Sequence, residues 1–257
     1  MMRRRQQPEP EDAKNLLPPL AAVPPAEDAG GPALARLNVL AYNFFQLPWY
    51  AMPCTHKRAR IDEFCDGPAA RYDVCCLTEV WRDPVRNNRR YLAERAARIG
   101  GLQHAAIGVQ PPCCSCMVTD GGLMTLSRLP LVEVCSTIFA ASGGLPDSLV
   151  GNGCLYSRIV VNGCRLHVYS AHLQSDTSLW KMGAVPGSQQ RPRQLQLEEM
   201  ARFMSECQRG EGEAADAVLI CGDLNIGRVR FASCVFIREA AAQCFFNGCG
   251  GCVCARP

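Results

Sequence analysis

Val218-Leu-Ile-Cys-Gly-Asp-Leu-Asn225 is the most informative stretch of the chain. Its apolar run ends abruptly in glycine, aspartate and asparagine, which predicts a fully buried strand with polar groups at its C-terminal tip. Alternate residues of an extended chain share a face, so we expect Asp223 and Asn225 to point to the same side. A carboxylate binds a cation or a proton, and an amide donates to a phosphoryl oxygen without adding negative charge. Gly222 allows the backbone to turn sharply or to approach a ligand closely.

Three further apolar strands are predicted over residues 37–43, 71–79 and 165–172, and their last residues are Asn43, Glu79 and His172. Any one of these side chains, including His172, is readily explained as a locally hydrogen-bonded group. Several such tips in one sheet instead predict a shared pocket at one sheet edge.

The chemistry of these tips predicts a Mg²⁺ site. Glu79 supplies an oxygen ligand, because Mg²⁺ takes one or two carboxylates together with waters and phosphate oxygens. Asp223 and Asn225 would orient a nucleophile and a phosphoryl group. His172 would stabilise or protonate the charge that develops during transfer.

The remaining periodicity predicts helices over 56–64, 87–99 and 193–207, and strands over 103–109, 122–127, 132–139 and 155–161. Strands and helices therefore both contribute, which indicates an α/β fold. We expect a disordered Pro/Ala-rich leader over 1–34, one folded domain over 35–230 and a divergent Cys-rich tail over 231–257.

Composition narrows the classes of function. With 257 residues, 48% of them apolar, the chain can bury a large core. A net charge of +3 excludes a strongly basic nucleic-acid coat but not an anionic substrate. The 17 cysteines, without a secretory signal, indicate reduced thiols and a cytoplasmic location. We find no run of apolar residues long enough for a membrane span, so any membrane contact would be peripheral.

Several motifs together resemble the endonuclease/exonuclease/phosphatase superfamily. They are Asn43, Thr-Glu-Val-Trp at 78–81, Gly-Gly-Leu-Met-Thr-Leu-Ser-Arg at 121–128, Ser-Ala-His-Leu-Gln at 170–174 and Gly-Asp-Leu-Asn at 222–225. The aromatic segment after Asn43 and the segment 147–155 are most similar to the neutral sphingomyelinase branch. The resemblance covers residues 36 to 226.

This resemblance implies a two-sheet α/β sandwich and a Mg²⁺-dependent phosphodiesterase. It implies Glu79 as metal ligand with Asn43 near the metal, and His172, Asp223 and Asn225 as catalytic residues. The implied reaction is hydrolysis of sphingomyelin, or a related phosphosphingolipid at a membrane surface, to ceramide and the phosphorylated headgroup.

Two departures from the family pattern bear on activity. Asn152 stands where the family segment has a lysine. The family pattern closes with a strand followed by Asp-His, whose imidazole acts as general base, and no histidine follows His172 in this chain. We therefore expect an incomplete second sheet and severely impaired turnover, since general-base assistance is typically worth about 10²–10⁴ in rate.

Three alternatives remain open on sequence grounds. The first is a nuclease or inositol-phosphate phosphatase of the same superfamily, although a nuclease needs a basic surface that the charge pattern does not supply. The second is a catalytically dead paralogue or fragment with only a binding role. The third concerns the Cys-x-x-Cys pairs within 113–116 and 249–254, which could bind zinc, but the spacer between them is far longer than in a zinc ribbon.

Overall fold

A computed structural model gives the fold of the chain. It describes residues 37–46, 56–82, 87–112, 115–144, 147–178, 183–184, 189–208, 217–226 and 235–238. The predicted leader, the second Cys-x-x-Cys pair and most of the predicted tail lie outside these residues, so the three-part division of the chain stays a prediction.

The described residues contain three α-helices and thirteen strands. The helices are α1 (Lys57–Asp66), α2 (Asn88–Arg95) and α3 (Gln190–Cys207). The strands are β1 (Val39–Asn43), β2 (Val74–Thr78), β3 (His104–Ile107), β4 (Thr119–Asp120), β5 (Met124–Ser127), β6 (Leu131–Ile138), β7 (Val150–Gly151), β8 (Gly153–Val161), β9 (Cys164–His172), β10 (Thr177–Ser178), β11 (Gly183–Ala184), β12 (Ala217–Asp223) and β13 (Val235–Arg238). Each helix and strand predicted from periodicity is present, with ends shifted by a few residues.

Two sheets form the body of the fold. The four-stranded sheet has the order β1-β2-β5-β3, and the five-stranded sheet has the order β13-β12-β9-β8-β6. Each sheet contains one parallel pair, β1 with β2 at the edge of the first sheet and β9 with β12 inside the second, and the other pairs are antiparallel. Two short pairs, β4-β7 and β10-β11, lie outside the main sheets.

The sheets pack face to face through a layer of small and branched apolar side chains. Residues of this layer come from both sheets, and they include Val39, Val74, Val168, Leu219 and Cys221. On the outer face of the four-stranded sheet, α1 and α2 cover a second apolar cluster. On the outer face of the five-stranded sheet, α3 covers a third, built on the tyrosines of β8 and β9. The predicted two-sheet α/β sandwich is therefore confirmed.

Two details of the prediction were wrong. The polar strand tips do not belong to one sheet. Asn43 ends β1 and Glu79 directly follows β2 in the four-stranded sheet, whereas His172 and Asp223 end strands of the five-stranded sheet. In addition, β12 is not fully buried. Leu219 and Cys221 are buried between the sheets, whereas Val218 and Ile220, on the opposite face, are only partly buried against the third cluster.

None of the helices in the described segments combines the length and the apolar composition that a membrane span requires.

The layer between the sheets should dominate stability. Leu219 is 1% exposed within it, so Leu219→Ala should lower the free energy of unfolding by about 2–5 kcal/mol through lost burial and a residual cavity. Val160→Thr, at a residue that is 44% exposed on β8, should change it by no more than about 0.5 kcal/mol. Urea denaturation followed by circular dichroism measures both. Equal losses in the two variants would contradict this assignment of the core.

Candidate functional site

Two parallel strand pairs bring four polar tips to one end of the sandwich. Asn43 lies opposite Thr78 in the register of β1 and β2, and Glu79 follows directly. Asp223 lies opposite His172 in the register of β12 and β9. Because the sheets stack with β1 and β2 against β12 and β9, these ends meet across the interface between the sheets. The polar tips therefore converge as predicted, but they do so between two sheets rather than at the edge of one.

One side-chain atom from each of Glu79, His172 and Asp223 lies within 4.8 Å of the others. Asn43 bridges the two acids: its Nδ2 donates to Glu79 Oε1 over 2.8 Å and to Asp223 Oδ2 over 2.9 Å. One amide therefore uses both of its N–H groups to hold two carboxylates at a fixed separation.

The donor set fits a small divalent cation. Glu79 Oε2 is buried and has no hydrogen-bond partner among the described residues. An unpartnered buried carboxylate oxygen is costly unless a cation or an ordered water satisfies it. The two carboxylates lie within one ion's reach, and carboxylate oxygens are the ligands that Mg²⁺ takes together with water.

The turn after β2 is shaped to present Glu79. The backbone φ of Glu79 is 57°, in the left-handed region that non-glycine residues seldom adopt and that recurs at functional sites. Gly122 makes room for it, because a Cβ on that glycine would lie 2.9 Å from Glu79 Cα. Hydrogen bonds from Val80 N to Gly122 O and from Gln46 N to Glu79 O, 2.9 and 2.8 Å, hold the turn on both sides.

His172 is buried at the tip of β9 and has a fixed orientation. Its Nδ1 lies 3.3 Å from Gly121 O, and its ring centroid lies 6.1 Å from that of Trp81. An Nδ1–H donated to this carbonyl leaves Nε2 as the nitrogen with a free lone pair. Each of the chain's four histidines lies in the described segments, and His172 is the one among them at this site.

Asn225 does not take the position that strand alternation predicts. The strand ends at Asp223, and Asn225 follows it in the left-handed region with a φ of 49°. Its Nδ2 donates to Leu173 O over 2.8 Å, and its backbone N–H donates to Asp223 Oδ1 over 3.1 Å. The side chain therefore ties the tip of β12 to the residue after His172.

Gly222 is needed for a close approach, although to protein rather than to a ligand. Its φ is 120°, and a Cβ there would lie 2.0 Å from Ala171 O on β9. The parallel pairing that aligns Asp223 with His172 therefore depends on glycine at this position.

A buried network that was not predicted holds the segment after His172 against α3. Gln174 O accepts from Arg193 Nη1 over 3.1 Å, and Gln174 N donates to Gln196 Oε1 over 2.8 Å. Arg193 also pairs with Asp176 at 2.7 Å. The His-Leu-Gln motif contained the signal for Gln174, whereas the two α3 residues look in sequence like ordinary surface positions of an amphipathic helix.

The aromatic segment after Asn43 has two different environments. Phe44 is buried and its ring packs against Phe64 at 5.2 Å, whereas Phe45 is 42% exposed. The later residues of this segment, among them Trp49 and Tyr50, lie outside the described residues.

Comparison with known proteins supports the superfamily that the sequence motifs resemble. The sequence pattern of the Endonuclease/Exonuclease/phosphatase family matches residues 50–233. The chain belongs to this family. The match covers most of the described fold. It includes β2, β9 and β12 with the tips Glu79, His172 and Asp223, whereas β1 and its tip Asn43 precede it.

Sphingomyelinases are among the known proteins to which the chain is similar. Sphingomyelinase C of Bacillus cereus is 32% identical over 206 residues, which is 75% of this chain and 58% of that protein. The solved structure of sphingomyelinase C from Streptomyces griseocarneus superposes with a TM-score of 0.62 at 26% identity, covering 73% of this chain and 64% of that one. The beta toxin of Staphylococcus aureus, solved with bound magnesium ions, shares the fold at 21% identity with a TM-score of 0.62, covering 74% and 65%. The chain spans about half the length of the curated relatives it matches.

The bridging amide provides a test of cation binding that does not depend on turnover. Asn43→Asp would place a third carboxylate against Glu79 and Asp223, so we expect a lower melting temperature in EDTA and a larger upward shift on addition of Mg²⁺ than in the wild type. Asn38→Asp is the matched control, because Asn38 also donates to a carboxylate, Asp73 Oδ2 at 3.3 Å, near the other end of the strand. An equal Mg²⁺ response in both variants would argue against a cation at the tips.

The glycine at the β12 tip gives a second test. Gly163→Ala, where φ is 77° and nothing lies within 4 Å of the added Cβ, should cost about 1–2 kcal/mol through left-handed strain alone. Gly222→Ala should cost clearly more, because its Cβ collides with the β9 backbone. Thermal denaturation of the two variants measures the difference, and similar losses would refute the close approach.

Proposed function

We propose that this chain is a Mg²⁺-dependent phosphodiesterase of the sphingomyelinase type. Its substrate would be sphingomyelin or a related phosphosphingolipid at a membrane surface, and its products ceramide and the phosphorylated headgroup. The observation that carries the proposal is the cluster of Glu79, His172 and Asp223 within 4.8 Å, with one buried Glu79 oxygen left for a cation. The sphingomyelinase relatives support the substrate class.

Glu79 and Asp223 are the residues that would hold the cation. A divalent cation bound there supplies electrostatic stabilisation of the charge on the phosphoryl oxygens. Asn43 keeps the two carboxylates apart at a fixed distance, so that little reorganisation is needed when the substrate arrives. This is the preorganisation on which phosphoryl transfer depends.

His172 would act on the transferring group through Nε2. Its Nδ1 contact with Gly121 O fixes the ring, so that Nε2 accepts a proton when the ring is neutral and donates one to charge developing on an oxygen when both nitrogens are protonated. Asp223 would orient the attacking water. Asn225 would contribute by fixing the tip of β12 beside Leu173, which holds Asp223 and His172 in register.

For a polypeptide of these 257 residues we expect slow turnover. One imidazole has to serve a reaction in which both the attacking water and the leaving oxygen exchange protons. A missing general base typically lowers the rate by about 10²–10⁴.

The proposed location is cytoplasmic, with peripheral contact at a membrane surface.

Hydrolysis of sphingomyelin in mixed micelles tests the proposal. We expect slow phosphocholine release that requires Mg²⁺ and is abolished by EDTA, by Glu79→Gln and by His172→Ala. Glu206→Gln, at an exposed position on α3, is the matched charge-neutralising control and should keep the wild-type rate. Turnover at an ordinary enzyme rate would overturn the expected impairment, and turnover retained in Glu79→Gln would overturn the site.

The same preparation should be incubated with plasmid DNA and with an inositol phosphate. We expect neither to be cleaved, since the weak net charge of +3 gives no clear footprint for a polyanion. Cleavage of either one without release of phosphocholine would replace the sphingomyelinase proposal by the corresponding member of the same family. Calorimetric Mg²⁺ binding with no turnover on any substrate would favour a purely binding role.

A further inference from the structure

An ion pair is buried just behind the site. Arg89, in the first turn of α2, is 7% exposed, and Asp120, at the end of β4, is 1% exposed. The pair is bidentate: Nη1 donates to Oδ2 over 2.8 Å and Nη2 donates to Oδ1. Burying two charges costs free energy that their attraction often does not repay, so stability alone explains such a pair poorly.

Two further contacts of the pair lead toward the site. Arg89 Nε donates to Val80 O, the carbonyl next to Glu79. Asp120 Oδ1 accepts the backbone N–H of Gly122 over 2.8 Å, and Gly122 O in turn accepts from Val80 N over 2.9 Å. The pair therefore joins the turn that presents Glu79 to the turn at residues 120–122.

The second turn also holds the imidazole. Gly121 O lies 3.3 Å from His172 Nδ1, so its carbonyl sets the orientation of the ring. A Cβ on Gly121 would lie 2.6 Å from Gly151 O, which leaves this carbonyl little freedom to move. Displacement of Asp120 would consequently disturb both Glu79 and His172.

Asp120 itself is not available to a ligand. Its Oδ1 accepts from Arg89 and Gly122, and its Oδ2 accepts from Arg89 and from Gln110 Nε2. Four donors fill the acceptor sites of one carboxylate. Its role must therefore be exerted through its neighbours.

We propose that Arg89 and Asp120 are positioning residues that fix Glu79 and His172 relative to each other. The catalytic consequence rests on the proposed function, but the geometric one does not. Partners of this kind around metal ligands typically change metal affinity by about 10–100-fold when they are replaced.

Three variants test the pair. Arg89→Met removes the charge, Asp120→Asn removes the opposite charge, and Arg89→Lys keeps the charge but cannot form the planar fork that reaches Asp120 and Val80 together. Leu166→Ala is the control, because Leu166 is a buried core residue near the start of β9, at the opposite end from His172. It should lower the melting temperature without touching the site.

Two readouts apply at one fixed pH. The first is the NMR spectrum of the histidine side chains, in which His56, His104 and His167 serve as internal references for His172. We expect the His172 signal alone to move in the three pair variants. In Leu166→Ala we expect the His172 signal to stay unchanged, whereas that of the adjacent His167 moves. The second is calorimetric titration with Mg²⁺, in which we expect the affinity to fall about 10–100-fold in the pair variants and to change less than about 3-fold in the control.

The outcomes separate this proposal from the preceding one. An unmoved His172 signal in any folded pair variant overturns the positioning role, whatever the activity of the wild type. Equal movement of all the histidine signals, or the same movement in Leu166→Ala, also overturns it, since general loosening would then be the cause. A selective His172 shift in a protein that hydrolyses no phosphosphingolipid supports the positioning role and removes the proposed function.

Discussion

Repulsion between two carboxylates is the constraint around which this end of the molecule is built. Glu79 and Asp223 approach from different sheets to within reach of one ion. Two like charges about 4 Å apart repel by roughly 4 kcal/mol at an effective dielectric constant of about 20. The amide of Asn43 offsets part of that repulsion with two hydrogen bonds. The rest of the arrangement, from the strained turn at Glu79 to the glycine under Asp223, keeps the groups from moving apart.

Most of the architecture follows from local sequence patterns. Apolar runs bounded by glycine and polar residues placed the strands, and the spacing of leucine and methionine over residues 193–207 placed α3. The assignment of strands to sheets did not follow, because it depends on pairing between residues far apart in the chain. Asn43 and Asp223 are separated by 180 positions. The local sequence of neither strand indicates that the two residues belong to different sheets.

The candidate site was recoverable for a different reason. Carboxylate, amide and imidazole groups at the ends of apolar strands are chemically conspicuous, and the motif resemblance assembled them into one set. Asn225 shows the limit of that reasoning. Strand alternation predicts a side chain beside that of Asp223, but the chain turns left-handed there and the amide binds a backbone carbonyl. Arg89 and Asp120 were missed because an arginine in a polar helix start carries no mark of burial.

The position of the site between the sheets links it mechanically to the layer of side chains below. Each sheet carries one of the two acids, so the distance between the acids depends on how the two sheets stack. A slide of one sheet by a fraction of an ångström, produced by exchanging valine for isoleucine deep in that layer, would change the separation of Glu79 and Asp223. Substitutions that never touch the two acids can therefore alter their geometry.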